Sequence, residues 1–365
     1  MTAPLVRLIA ERGAVRFDDY MDLALYHPEF GYYARGMPRT GFAGHFVTSP
    51  ELTPAFGALW ARAFEAAWRA CDEPDEFVVT EIGAGEGGFA AAISSLATDR
   101  FAAALRIRIV ERVPELRERQ RRLVPDATWV GALDELQPVE HGAFFANEVL
   151  DNVPVRVVEG SPDGPREVWV EAQGDRLVEV TRPAEDDVAG FLRHIDVTLE
   201  PAARFEVPEA AAAFVRRAAA TVVRGAIFFV DYGDSTKGLL ERPLGSLLCY
   251  SESGVDDRPL ERPGEKDITV HANWNVVIGE LMQAGWDVAA PTKQRTFLEA
   301  LGARELTSAY KEAHEEALRE GRGADAVRAL SGRTAIAGLL DEGGLGGLDV
   351  VAAFRGNSPP TGRPR

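Results

Sequence analysis

Short apolar runs alternate with segments of helical spacing along this chain. Phe77, Val78, Val79 and Ile82 form a run with β-branched members, the pattern of a strand buried within a parallel sheet. Similar runs are predicted as strands at Leu105–Val110, Ala127–Val130, Ala143–Ala146, the GAIFFVDYG stretch ending in Asp231 and Tyr232, and the late LDVVAAFRG stretch. Helical apolar spacing appears at Leu5, Leu8 and Ile9, from Phe17 to Leu25, after Glu51, at about 208–222, after His271, and as a packed hairpin over 297–345. Val155, Val157, Val168, Trp169, Val170, Leu177 and Val180 lie around turn residues and predict a β-rich insertion. Residues 234–266 are rich in glycine, proline and charge and predict a long loop with short extended pieces. The end, NSPPTGRPR, is expected to be disordered.

The stretch FVVTEIGAGEGGFA carries the most chemistry. Glycines between a strand and a helix let the backbone bend sharply and let a ligand lie against bare peptide. Gly83, Gly85 and Gly88 satisfy the dinucleotide pattern G-x-G-x-x-G, whereas Glu81, Gly83, Gly85 and Gly87 satisfy E-x-G-x-G-x-G, the usual form of S-adenosylmethionine (SAM) sites. Two features favour SAM. Glu81 at the strand end is placed to meet a cationic amino-acid moiety, and Glu86 inside the turn would repel a pyrophosphate.

Composition narrows the partners. The chain has 365 residues and a formal net charge of −17, with 57 acidic against 40 basic residues, which argues against a nucleic-acid substrate. No apolar run is long enough to span a bilayer, and the start, MTAPLVRLIAERG, lacks a signal-peptide pattern, so a soluble protein off the membrane is expected. Cys71 and Cys249 are far apart and lack metal-ligand spacing, so neither a disulfide framework nor a metal site is expected, and the cytoplasm is the expected compartment.

Further polar residues fall at strand ends, where open α/β sheets bind ligands. Glu111 follows the second strand, somewhat beyond the usual ~20 residues from the glycine turn, and is suited to a ribose diol. Asp134 is a candidate for an adenine amine or a surface turn. Asn147, Glu148, Asp151 and Asn152 cluster after the fourth strand, with Pro154 stopping helix growth. Thr48, Ser49, Pro50 and Glu51 precede a helix, either as its cap or as a loop folded over the cofactor. His271 is a structural histidine or a base.

The words ALYHPEFGYYARG, FVTSPE, EIGAGEGGF, ANEVLDNVPV, VDYG, PGEKDITVHANW and KQRTFLEALG, in that order, resemble the MidA family over roughly residues 1–302. Those proteins are SAM-dependent methyltransferases that include the mitochondrial complex I assembly factor. The resemblance implies a class I SAM-dependent methyltransferase: a Rossmann-like α/β fold with a mostly parallel seven-stranded sheet, an N-terminal helical extension and β-rich and helical insertions. The expected division is an extension over the cofactor site at 1–70, a core of 71–154 and 223–355, a substrate-side insertion at 155–222 and a tail at 356–365.

The resemblance also implies Thr48, Ser49, Glu51, Gly83, Gly85, Gly87 and Glu111 as cofactor residues, which Glu81, Asp134 and Asn147 join on position. It suggests methylation of a protein arginine, with Glu148 and Asp151 holding the guanidinium by bidentate pairing. For a hydroxyl, carboxylate or amine acceptor, His271 or His45 is the candidate base. Tyr32, His45, Asp231 and Tyr232 are expected toward the substrate. His45 stands where the family has aspartate (Gly44-His45-Phe46 for G-D-F), which points to a divergent substrate. The expected partners are a protein or peptide substrate, with a small-molecule acceptor in a biosynthetic pathway and a homodimer left open. A SAM-binding assembly protein without turnover is the remaining reading.

Overall fold

The computed structural model describes residues 4–35 and 49–356. His45 and Thr48 lie outside the described residues, as does the expected tail beyond Gly356.

The central sheet grows from the predicted apolar runs. Its strands are β1 (Phe77–Ile82), β2 (Leu105–Val110), β3 (Thr128–Val130), β4 (Val139–Asn147), β5 (Val222–Asp231), β6 (Asp287–Val288) and β7 (Asp349–Arg355), in the order β3-β2-β1-β4-β5-β7-β6. The neighbours from β3 to β5 pair in parallel, and β7 runs antiparallel between β5 and β6. The two-residue strand Thr292–Lys293 also pairs with β7, so the sheet has eight strands rather than the seven expected. Strand order reverses between β1 and β4, and Ile82 lies opposite Ala146 there. Glycine turn and NEVLDN turn therefore leave the sheet side by side, at the crevice where such folds bind ligands. Gly225 in β5, at φ 142, sits so close to β4 that a Cβ would lie 1.8 Å from the Gly142 carbonyl oxygen.

Helices cover both faces. On one lie α3 (Pro54–Ala70), α4 (Gly88–Leu96) and a hairpin of α8 (Ala303–Arg319) and α9 (Gly323–Leu339), sharing a core with Phe77, Phe145 and Phe228. On the other, α6 (Glu209–Ala220) and α7 (Trp274–Gln283) bury Val215, Ala219 and Val277 against Phe144 and Ile227. Helix α6, grouped with the insertion on sequence, thus packs on the parallel sheet. Its alanine-rich face lets the helix approach closely.

The segment from Arg156 to Val207 builds a second, antiparallel sheet from strands Arg156–Glu159, Arg166–Gln173, Arg176–Pro183 and Arg204–Val207, joined by Val15–Arg16. Helices α1 (Pro4–Arg12) and α2 (Phe17–Tyr26) bury Ile9, Phe17 and Met21 against its Val157 and Val170. The loop expected over 234–266 is more ordered than predicted: Leu248–Ser251 pairs with Gly254–Asp256 and with Asp267–Thr269 in a small antiparallel sheet. Buried Lys266, 2.8 Å from both Asp256 carboxylate oxygens, pins it. Thr53 caps α3, accepting the Ala55 N–H ahead of Pro54. Ser49 to Leu52 form a helical turn of their own.

Candidate active site

A cavity of about 520 Å³ opens at the reversal point, lined from the glycine turn, the ends of β2 and β3, the NEVLDN turn and two N-terminal tyrosines. Gly83 and Gly85 line it at φ 70 and φ 51; a Cβ on Gly83 would reach 2.9 Å from Val149 Cγ2 and fill its floor. Gly87 lies outside the lining, at the start of α4, where its φ of 89 suits glycine. Glu86 reaches Arg119 at 2.6 Å, which draws its charge away from the turn.

Glu81 lines the cavity with Oε2 buried and unpartnered. Burial, then the charge of Glu111, lifts its carboxyl to about 8. Glu111 also lines the wall, accepting the Val113 N–H at 2.9 Å on Oε1. Asp134 does not line it: its exposed carboxylate pairs with Arg217 at 3.0 Å, and Ala132 and Leu133 form the wall there instead. The adenine role is withdrawn in favour of the surface turn.

Beyond the glycines, the NEVLDN turn gathers acids. Glu148 sits at φ 50, its N–H held by the Val230 carbonyl at 2.8 Å and its Oε1 accepting from Asn147 Nδ2 at 2.8 Å. Burial, then Asp231's charge, pushes its carboxyl up to about 8. Asp151, with Oδ1 buried and unpartnered, is raised well above the carboxylate range by burial and then by Asp231, Asp267 and Glu148. Asn147, also in the lining, leaves its Oδ1 buried without a partner.

Asp231 turns inward as scaffold. Its Oδ2 accepts the N–H groups of Val149, Leu150 and Asp151 at 2.9–3.2 Å and its Oδ1 that of Tyr232 at 2.8 Å, so its carboxylate holds the turn, and it lies outside the cavity lining. Burial still lifts it to about 7 against those donors.

Other expectations shift. Tyr32 is fully buried among the α1 and α2 side chains, edge-on to Tyr33 at 5.1 Å, and Tyr33 lines the cavity in its place. Tyr232 and His271 stack on each other at 6.4 Å outside the lining. Burial and then Arg242 lower the His271 pKa, and its backbone N–H bonds Ser246 Oγ at 2.9 Å, so it is a structural residue here and not a base for this cavity. Ser49 is buried, its Oγ accepting from Gln294 at 2.8 Å, while its backbone N–H serves Glu148. Of the TSPE word, Pro50 reaches the lining; Glu51 lies in the adjoining turn.

Sequence reading left out Tyr26, Tyr33 and Asp267 as site residues. Tyr33 Oη lies 2.9 Å from Asn152 Oδ1 and 3.0 Å from Asp267 Oδ2, and Tyr26 stacks on Tyr33 at 5.6 Å. The YHPEFGYY word signalled aromatics, but nothing local says which ring faces a cavity closed by residues more than a hundred positions away.

The residues fit SAM. An acid at the β1 end, bare glycine backbone, a second acid after β2 and apolar side chains at Ala132 and Leu133 are groups of the kind that its amino-acid, ribose and adenine portions would need.

Comparison with known proteins agrees. The family described as "Putative S-adenosyl-L-methionine-dependent methyltransferase" matches residues 59–292. The mitochondrial protein arginine methyltransferase NDUFAF7 of Rattus norvegicus is 27% identical over 83% of this chain and 74% of its own length, and that of Homo sapiens 25% over 83% and 73%. A COG1565 superfamily member from Burkholderia thailandensis, solved bound to S-adenosyl-homocysteine, is 31% identical with a TM-score of 0.84 and covers 98% of this chain and 94% of its own.

Proposed function

The chain belongs to this family of SAM-dependent methyltransferases, and from that premise we propose that it methylates a guanidinium nitrogen of an arginine in a protein substrate. The observation that carries the acceptor is the pair Glu148 and Asp151. Two carboxyls line the cofactor cavity, Asp151 buried and Glu148 half-buried, and Asp151 has an oxygen with no partner. A planar cation with several N–H donors would repair that deficit, and the carboxylates would orient it by paired hydrogen bonds. The names of the NDUFAF7 relatives support the same acceptor.

Bound SAM supplies an activated methyl group on a sulfonium. Glu81 and Asn147 hold its amino-acid end, Glu111 its ribose, and Ala132 and Leu133 its base. Glu148 and Asp151 fix the acceptor nitrogen in line and take the proton that a guanidinium must shed on methylation, so charge balances within the cavity. The parallel sheet and its helices form the catalytic core, and the antiparallel sheet with α1 and α2 forms the substrate-side wall.

Transfer to a hydroxyl with His271 as base loses support, because His271 lies outside the cavity lining; His45, the other candidate, lies outside the described residues. Among the described residues no helix is long and apolar enough to cross a membrane. The cytoplasmic compartment we propose rests on cysteine usage, with Cys71 and Cys249 buried and free; the curated relatives are named as mitochondrial.

The test is calorimetric titration with SAM and S-adenosylhomocysteine, followed by mass spectrometry of arginine, lysine and citrulline peptides incubated with protein and SAM. Methyl gain on arginine alone is expected. Methylation of lysine but not arginine would overturn the acceptor reading while leaving the cofactor site intact.

A further inference from the structure

Gln120 joins two parts of the cofactor cavity that the chain brings from different strands. It is fully buried on α5 (Pro114–Leu123), a helix otherwise dominated by charged residues. Its side-chain oxygen accepts from the Trp129 indole at 3.0 Å. An indole nitrogen only donates, so this contact fixes which end of the amide is oxygen. The amide nitrogen then donates to the Gly85 carbonyl at 2.8 Å and to Glu111 Oε2 at 3.2 Å. One side chain thus ties the glycine turn after β1 to the acid after β2, and both to β3. Gly87 packs against it so closely that a Cβ there would lie 3.1 Å from Gln120 Cγ.

We propose that Gln120 is a positioning residue for the cofactor, aiming the Glu111 carboxylate at the ribose diol and setting the distance between that acid and the glycine turn. The proposal rests on the reading of Glu111 as ribose ligand. Each carboxylate oxygen can accept two hydrogen bonds. The Val113 N–H occupies a site on Oε1 and the Gln120 amide one on Oε2, and the Arg112 N–H also bonds the carboxylate, which leaves one acceptor site free for a ribose hydroxyl. Without the amide, the carboxylate keeps only backbone donors, from Val113 and Arg112, and loses the side-chain bond that sets its rotation, and the Gly85 carbonyl loses its link to it.

The experiment measures calorimetric binding of S-adenosylhomocysteine and its 2′-deoxy and 3′-deoxy analogues to the wild type, to Gln120→Met and to Trp129→Phe. Gln120→Met should weaken S-adenosylhomocysteine on the order of tenfold, the scale of a lost hydrogen bond to a charged group. Deleting a ribose hydroxyl should cost the wild type roughly tenfold and cost Gln120→Met only about twofold, because the acid is no longer aimed. The turnover rate at saturating SAM and the acceptor KM should stay as in wild type. Trp129→Phe, which keeps Gln120 but frees its amide to flip, should show the same loss of hydroxyl discrimination in a milder form and serves if Gln120→Met does not fold.

An undiminished hydroxyl penalty in the folded variants would overturn the proposal and reduce Gln120 to packing. No hydroxyl penalty in the wild type would instead remove Glu111 as the ribose ligand, and the proposal would fall with it.

Discussion

In the proposed reaction, Glu148 is the residue on which the chemistry turns. Its left-handed backbone and its bond to Asn147 direct its carboxyl toward the acceptor end, and burial beside Asp231 pushes its pKa to about 8. Glu148→Gln keeps the shape but removes the charge that holds a guanidinium and the site that takes its proton. Turnover should fall at least on the order of a hundredfold, with SAM affinity within about threefold of wild type; unchanged turnover on arginine peptide would remove Glu148 from the mechanism.

The sign of the pH effect follows from the raised pKa. Folded Glu148 holds its proton to higher pH than the unfolded chain does, so stability present below the ordinary carboxylate range is lost as pH rises through about 8. The Tm gap between Glu148→Gln and wild type, measured without ligand, should therefore widen in the variant's favour from pH 5.5 to 8.5. In the same interval wild-type kcat/KM should climb as the carboxylate ionises; flat profiles for both would mean an ordinary acid. Gly85→Val tests the other end. At φ 51 a branched side chain is strained and projects where the cofactor lies on the peptide, so SAM binding should vanish while the fold persists. That Glu81, Gly83 and Gly85 line a cavity was legible because a glycine turn and a strand-end acid are local signals. Tyr33 against Tyr32, and the inward turn of Asp231, were not, since each depends on long-range packing.

At the scale of elements, the parallel strands were legible because they are continuous apolar runs, whereas the pieces of the 248–269 sheet are short and held by the buried Lys266–Asp256 pair, which leaves no periodic trace. Helix α6 was misgrouped because helical spacing says that a face is buried but not against which sheet. The antiparallel sheet carries its own device in Arg156, a buried guanidinium that bonds both Glu167 carboxylate oxygens at 2.8 and 3.2 Å and reaches Glu185 and Asp187 at 2.9 and 2.8 Å. The latter two carboxylates are exposed and add little, but Glu167 is buried and has this arginine as its counter-charge. Arg156→Met should cost about 3 kcal/mol by denaturant unfolding, with protection from hydrogen exchange lost first in residues 156–183. A loss under about 1 kcal/mol would mean that water already reaches Glu167.

Over the whole molecule, charge and cavity point the same way. The chain carries a formal net charge of −17, and acids line its cavity. Such a field attracts a basic substrate from a distance and should raise its encounter rate, an effect that salt screens over about 10 Å at 0.1 M. Asp151 is buried and Glu148 half-buried, and a bound guanidinium would cover both, so salt should leave the bound step alone. For an arginine peptide with flanking lysines, kcat/KM should fall several-fold, roughly tenfold at most, between low salt and about 0.3 M, with kcat unchanged. The citrulline analogue has nearly the same shape but no charge on the reacting group. Its binding should be weaker at every salt concentration, and it should gain no methyl group, because Glu148 and Asp151 would face a neutral urea instead of a cation. Methylation of citrulline at a comparable rate would show that shape alone selects the acceptor. A kcat that falls with salt would place the charge effect inside the cavity rather than along the approach to it.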